Sequence, residues 1–466
     1  MDEITEKFLK RYWDSFTPST IAYDDALILK GARGCELFDI SGKSYLDFCS
    51  QAGVMNIGHN HPFFVEAQKA FWETVEREHI PWYLIASDFH FHFFVTVGGK
   101  KIEISQPALA ELLKKHTFGK DTRFIQQVTG VTANNAAIKF IQKLRPGRKQ
   151  GFAFRGAFHG RQGAALGATY GKPIQRAGFD IQRTVDTHFP FVRSKEELDR
   201  CYEELKEFNV EDHGFIMFES GKGEGGVEFA NRYTIEFLEY LRSEYDILLL
   251  CDDIQEGFGR TGKWWSFQNY GFVPDIVTIS KSMGGGDPIS AAFFNAKNPK
   301  LKGWEEALAV GWDSSTFQWN PHAVFSAIIT IMILEKEKLV EKAAENSGFF
   351  QAALEGAIEY FYNVSEPNVA FTLHELILKG LGFHFGIEFR KVNVHQDKYI
   401  PDPEFRNVVL GCLQRNGIIT LSAGNPNINP TIRFMPPLTI TKAEIEIFAL
   451  RLQEALKEAH EITKKK

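Results

Sequence analysis

The sequence predicts a three-layer α/β protein: a buried, mostly parallel sheet covered by helices on both faces, joined to a smaller α+β domain. Three observations carry this reading. From about Asp121 to Phe294, short apolar strands alternate with helical patterns, TRFIQQVT with ANNAAIKFIQKL and GFIMFE with NRYTIEFLEYLRSEY. The segments DILLLCDD and DIVTISK are apolar almost throughout, as strands buried on both faces must be. Neither end of the chain makes a complete core, so the two ends are expected to pack together as one smaller domain.

Each element follows in order. A chain of 466 residues is too long for one ordinary core. The boundaries are placed at 1–65 for the N-terminal part of the small domain, 66–333 for the large domain and 334–466 for the C-terminal part. ALILKGARGCELFDISGKSYLDF reads as antiparallel strands joined at Ser41-Gly42. DFHFHFFVTV, Asp88 to Val97, alternates with period two and reads as a strand with His90 and His92 on one face. A metal site there is the sharper reading; an insertion strand with its polar face outward is the one adopted. Beyond Leu334 come two long helical patterns, short strands around GFHFGIEF and TIRFMPPL, and a closing helix from Thr441.

Composition narrows the function classes. A net charge of −6 gives no attraction to nucleic acid or an anionic membrane. The N-terminus MDEITEKFLKRYW is charged and amphipathic, unlike a signal peptide. The longest apolar stretch, Ala323 to Leu334, is too short to span a bilayer. The five cysteines are odd in number and widely spaced, which argues against a zinc site or a disulfide framework and for a reducing cytoplasm. No metal is expected.

Ligands of open α/β sheets bind where strands deliver their carboxyl ends, so chemistry is sought there. DILLLCDDIQEGFGRTG runs an apolar strand into Asp252 and Asp253. Two acids at a buried strand end are costly unless something positive meets them. A magnesium site, a helix cap and a partner for a bound cationic heterocycle all remain open on this motif alone. DIVTISKSMGGGDPIS ends another strand at Lys281, where desolvation lowers an amine's pKa and makes it nucleophilic toward an aldehyde. The glycines that follow would let backbone approach a ligand closely. One strand–helix–strand unit separates Asp252 from Lys281, which puts both at one pocket.

DDIQEGFGRTG followed by PDIVTISKSMGGGDPI resembles the signature of the class III aminotransferases, within fold type I of the pyridoxal-phosphate enzymes. The resemblance extends more thinly from about Asp39 to Leu438. It implies a large domain with a mostly parallel seven-stranded sheet and pyridoxal 5'-phosphate as cofactor. Lys281 would form the Schiff base and act as general base; Asp252 would pair with the pyridine nitrogen and Gln255 with the ring hydroxyl. YLDFCSQAGVMNIGHNHP resembles the turn that lines the substrate pocket. VTGVTANNAAIK resembles the phosphate-binding turn, with amides of Gly130 and Val131 at a helix N-terminus and Thr132 in place of the family's serine. FRGAFHGRQGAALG places Phe158 and His159 at the cofactor, and Arg161 where a guanidinium can grip the remote carboxylate of 2-oxoglutarate.

FESGKGEGGV resembles Glu-Pro-x-x-Gly-Glu-Gly-Gly with Ser220 for proline, and TIRFMPPL matches Arg-x-x-Pro-Pro-Leu. Glu219 is thereby expected to neutralise Arg433 while an ω-amino substrate is bound. Thr316, from SSTFQWNP, would reach the cofactor phosphate of the neighbouring subunit, which implies a homodimer or higher homo-oligomer. The partners implied are a small amino donor and an oxo-acid acceptor, 2-oxoglutarate. The donor would be an ω-amino or diamino acid: lysine, ornithine, diaminobutyrate or 4-aminobutyrate. The alternative is an amino-acid racemase or epimerase using the same lysine and aspartate.

Overall fold

A run of apolar residues without polar alternation makes a stable strand only if both faces are covered. Seven such strands form one sheet: β1 (Thr122–Gln127), β2 (Gln150–Phe154), β3 (Val185–Phe189), β4 (His213–Phe218), β5 (Leu248–Asp252), β6 (Ile276–Ile279) and β7 (Ser290–Asn295). The computed structural model describes residues 3–17, 27–81, 90–178, 184–365, 373–393 and 398–465. The sheet order is β1-β7-β6-β5-β4-β2-β3. Only β7 runs against the rest, paired antiparallel to both β6 and β1. Every residue of β4 and β5 is buried.

The period of two divides these strands between two cores. Phe215, Met217, Leu248 and Leu250 enter one, with Ile138 and Phe140 of helix Gly130–Leu144. Ile216, Phe218, Leu249 and Cys251 enter the other, with Phe237 and Leu241 of helix Arg232–Glu244. A three-layer α/β architecture is the result.

Two local expectations are corrected. The connection from β5 to β6 contains no α-helix, only a short 3₁₀ turn at Ser266–Tyr270. Gly259, Gly262 and Gly271 there adopt positive φ, and Pro274 follows, a composition that breaks helix. The His-Phe strand begins at Phe93 rather than Asp88 and pairs with Lys100–Ile104; residues 88–89 lie outside the described residues. Phe91, Phe93, Val95 and Val97 are buried, whereas His90 and His92 are exposed, and His92 lies 3.5 Å from Glu103.

The two ends of the chain share sheets and core. Glu36–Asp39 and Ser44–Asp47 pair antiparallel around Gly42, at φ 87°, and the Asp39 carboxylate accepts from the Ser41 and Lys43 amides. Leu46 and Asp47 then pair in parallel with Ile418 and Ile419 from the far end of the sequence. Phe48 stacks on Phe448 of helix Lys442–Lys464, with 3.8 Å between ring centroids. That helix starts at Thr441, whose hydroxyl and Glu444 form a capping box. A second sheet joins His374–Leu381, His384–Asn393, Thr431–Phe434 and Leu421–Ala423 in that order. Helices Pro62–Glu78 and Pro321–Lys336 run across residues 65 and 333. Among the described residues no helix is long and apolar enough to cross a membrane.

Candidate active site

Three adjacent parallel strands end at one cavity of about 390 Å³. Glu219 follows β4 directly, Asp252 is the last residue of β5, and Lys281 lies just beyond β6. All three line the cavity, so the motif spacing has become side-by-side geometry.

Strand alternation separates the two aspartates. Asp252 turns into the cavity, where its Oδ2 accepts from Asn134 Nδ2 at 2.7 Å and lies 2.9 Å from His159 Nδ1. Its Oδ1 accepts from the Ile254 amide at 3.2 Å. Asn134 in turn donates to the His159 carbonyl and accepts from the Thr278 hydroxyl at 2.6 Å, tying the helix to β6. Asp253 faces away and accepts from the amide and hydroxyl of Ser266, closing the 3₁₀ turn. Burial pushes its carboxyl up to about 7.

Lys281 is half-buried and holds a positive φ of 25°. Burial lowers its pKa; Asp252 opposes this, and Arg433 adds to it. The glycines after Lys281 serve a different purpose from the expected one. A Cβ on Gly285 would meet Thr330 Oγ1 at 2.6 Å, and one on Gly284 would meet Ile289 at 2.9 Å. Gly284 and Gly285 let the lysine loop pack closely on the protein.

Helix Gly130–Leu144 presents its first turn to the cavity, with Gly130 and Val131 on the wall. The Thr129 side chain caps the Thr132 amide. The Thr132 hydroxyl donates to the Thr129 carbonyl at 2.8 Å and accepts from the Thr129 amide at 3.0 Å. Thr132 therefore completes a capping box rather than lining the cavity. Phe158 and His159 form another part of the wall; Arg161 is exposed at its edge, its guanidinium carbon 5.8 Å from the Phe158 ring centroid. Thr316 is exposed and lies outside this wall.

The expected pairing of Glu219 with Arg433 is corrected. Arg433, buried on Thr431–Phe434, donates Nη2 to Glu224 Oε1 at 2.5 Å and Nη1 to Gln255 Oε1 at 3.3 Å. Gln255 Nε2 donates to the Ala52 carbonyl at 3.1 Å. Glu219 instead accepts from the Phe158 amide at 2.9 Å, and burial beside Asp252 raises its pKa well above the carboxylate range. Burial works against ionised Glu224 too, yet Arg433 and Lys172 beside it hold its pKa below the usual value. The physical reason is reach: Glu219 is fixed at a strand end, whereas Glu224 sits on the glycine-rich turn that faces Arg433.

Sequence reasoning missed Asn134 and Glu224, although both stand inside quoted motifs. Asn134 lies one helical turn beyond Gly130, on the same face, and Glu224 is the acid of GKGEGG. Ala52 lies in YLDFCSQAGVMNIGHNHP, the stretch expected to line the pocket, but its backbone conformation has no signal in the sequence. Ser50, Gln51, Ala52 and Gly53 take φ of 46°, 54°, 61° and 89°, a left-handed turn. Left-handed backbone costs roughly 1–2 kcal/mol per non-glycine residue. The turn is held by Asp47, which accepts from the Cys49 and Ser50 amides, and by Ser282, whose hydroxyl donates to the Gly53 carbonyl at 2.6 Å.

These residues fit pyridoxal phosphate. A helix N-terminus with uncommitted first amides suits a phosphate, and an oriented carboxylate suits a pyridinium nitrogen. Phe158 offers a ring-sized apolar wall, and the buried Nε2 of His159 has no hydrogen-bond partner among the described residues.

Comparison with known proteins agrees. The acetylornithine aminotransferase of Methanocaldococcus jannaschii is 30% identical over 439 residues, 93% of this chain and 94% of that protein. The diaminobutyrate–2-oxoglutarate transaminase of Wolinella succinogenes is 27% identical, covering 93% of this chain and 92% of its own length. Among solved structures, a transaminase from the marine bacterium Virgibacillus superposes with a TM-score of 0.80 at 20% identity, over 99% of this chain and all of that one. The ornithine aminotransferase of Toxoplasma gondii gives 0.75 at 21% identity, over 99% and 96%. Residues 21–456 match the class-III aminotransferase family; with Lys281 and Asp252 at adjacent strand ends, the chain is a pyridoxal-phosphate-dependent class-III aminotransferase.

Proposed function

We propose that the enzyme moves an amino group from an ω-amino or diamino acid (lysine, ornithine, diaminobutyrate or 4-aminobutyrate) to 2-oxoglutarate. The observation that carries this reading is that Glu224 and Gln255, both in the wall of the Lys281 cavity, are held from behind by Arg433. A guanidinium that already holds a carboxylate within the chain asks none of the amino donor. When an oxo diacid enters, its carboxylate competes with Glu224 for the same fork. Arg161, at the edge of the cavity, is placed for the second carboxylate of that acceptor.

Bound pyridoxal phosphate supplies an aldehyde that takes up the amino group and a ring that accepts an electron pair. The chain does the rest. Lys281, with its pKa lowered by burial, offers a neutral amine to the aldehyde and afterwards moves a proton to and from the donor carbon. Asn134 and His159 orient Asp252, which keeps the proton on the ring nitrogen. Gly130 and Val131 would hold the phosphate. Gln255 can serve the ring hydroxyl if its amide leaves Arg433 or Ala52. Thr316, exposed and away from this cavity, is proposed to reach the cofactor of a second copy in a homodimer. Five free, buried cysteines accord with a cytoplasmic setting.

The test is the absorbance of the bound cofactor. Bleaching by a donor, reversed by 2-oxoglutarate with glutamate formed, supports transamination; chiral inversion without an oxo acid replaces it with racemisation. Arg161→Ala is expected to lower kcat/KM for 2-oxoglutarate by roughly 10- to 100-fold, and for pyruvate far less. Equal losses refute the role given to Arg161.

A further inference from the structure

A buried acid and a buried imidazole meet behind the cavity wall, and the proposed chemistry uses neither. Glu256 follows Gln255 in the sequence and is 1% exposed; His384, the first residue of strand His384–Asn393, is wholly buried. Glu256 Oε1 lies 2.7 Å from His384 Nδ1. Glu256 Oε2 and His384 Nε2 are buried with no hydrogen-bond partner among the described residues. A buried ionisable pair with one bond and two unmet atoms contributes little to stability, and two apolar side chains of similar volume would serve the fold as well. Its place in the fold supplies another reason for it.

Strand alternation connects the pair to Arg433. Gly386 is the cross-strand partner of Arg433, so the two share one face of the second sheet. His384, two residues before Gly386, is on that face too. From this one face the second sheet reaches the cavity wall at two points. Arg433 donates to Glu224 and Gln255, and His384 meets Glu256, the residue after Gln255. The glycine-rich turn packs between the two contacts. A Cβ on Gly223 would meet Gln255 Oε1 at 1.6 Å and His384 Cε1 at 3.1 Å, and one on Gly386 would meet Val227 at 2.7 Å. Two polar contacts on one face fix an orientation that a single contact leaves free.

We propose that Glu256 and His384 are a positioning pair: they fix the second sheet against the segment after β5, and so aim the Arg433 guanidinium at Glu224 and Gln255. The pair acts through Arg433 and touches neither substrate nor cofactor. This rests on the proposed function, in which the acceptor's carboxylate competes with Glu224 for Arg433, and it adds the groups that hold that arginine in register. A hydrogen bond is directional, whereas apolar contact is not, so the pair can hold an angle that two apolar side chains cannot. The donor half-reaction asks nothing of Arg433, and the acceptor half-reaction does. Loss of the pair should therefore fall on the acceptor half.

The experiment compares holoenzyme variants by melting temperature, by the dissociation constant of glutarate read from bound-cofactor absorbance, and by single turnovers of each half-reaction. Glutarate stands in for the oxo diacid. The double variant Glu256→Met/His384→Leu replaces both groups by apolar ones, so its melting temperature should stay near the parent's. Its glutarate affinity and its kcat/KM for 2-oxoglutarate should fall roughly three- to tenfold, through KM, with the donor half unchanged. Glu256→Gln keeps an atom that can bond Nδ1 in either tautomer, and His384→Asn keeps a polar atom at the Nδ1 position; both should hold glutarate as the parent does. A double variant that binds glutarate like the parent, or that slows both halves equally, overturns the proposal. If the double variant does not fold, His384→Leu against His384→Asn decides, and equal glutarate affinities overturn it. Arg433→Leu is the control. Unchanged glutarate affinity there means that the carboxylate site itself is wrong and both readings fall. Glutarate lost with Arg433→Leu but kept by the double variant removes the positioning pair alone.

Discussion

The cavity has two walls of different origin. One is the sheet wall, where Glu219, Asp252 and Lys281 stand at the ends of β4, β5 and β6, fixed by parallel pairing and by two cores. The other comes from the ends of the chain and from turns: Ala52 on a left-handed turn and Glu224 on a glycine-rich turn, backed by Arg433 on a strand of the second sheet. The sheet wall holds the groups proposed to act on the reacting atoms. The other holds Glu224, paired with Arg433. The contrast teaches that chemistry is anchored on rigid, local geometry, while selectivity is assembled from segments nearly four hundred residues apart.

Mutations can break that division, in decreasing order of effect. Lys281→Ala is expected to lower turnover by at least about 10⁴-fold, since nucleophile and general base are lost together. The absorbance of retained cofactor, measured beside turnover, checks that binding alone does not explain the loss. In the intact protein the pKa of Lys281 is lowered, and its neutral amine is the reactive form. Cofactor capture should therefore accelerate through an apparent pKa below the ordinary lysine value; a midpoint at or above it would refute the burial argument.

Asn134→Ala removes one of the two side chains that orient Asp252. A loss of roughly 10- to 100-fold in cofactor affinity is expected from one hydrogen bond to a charged group, read by equilibrium titration with pyridoxal phosphate. An unchanged affinity would leave Asn134 a helix-to-strand tie alone. Glu224→Gln acts on the other wall and should split the two half-reactions. The donor half should slow by about tenfold while the 2-oxoglutarate half holds or quickens, as single-turnover absorbance would show; equal slowing would contradict the exchange. The smallest effect is on stability. Gln51→Gly should raise the urea midpoint by a free energy of about 1 kcal/mol, because glycine takes left-handed backbone without strain.

Legibility in the sequence followed the same division. Asp252 and Lys281 were readable because an apolar run ending in a charged residue states both the strand and its end. The helix N-terminus at Gly130 was readable from its strand–turn–helix setting. The assignment of the Arg433 partner to Glu219 failed, since both glutamates occur in FESGKGEGGV and only the path of the turn decides which one reaches the arginine. Thr132 was read as a ligand to phosphate, but its hydroxyl was nearer to its own helix cap. The glycines after Lys281 read as room for a ligand, whereas Gly284 and Gly285 make room for Ile289, Thr330 and Phe64.

What the sequence determined alone is whatever depends on local periodicity and short motifs: the layered α/β core, the family and the two residues at strand ends. What only the tertiary structure decided is whatever depends on contacts across the chain. These are the Glu224–Arg433 pair, the Asn134–Asp252 bond and the left-handed turn at Ser50–Gly53. The physical reason is that backbone periodicity is written every two to four residues, whereas the partner of a buried charge is set by packing that no local window contains.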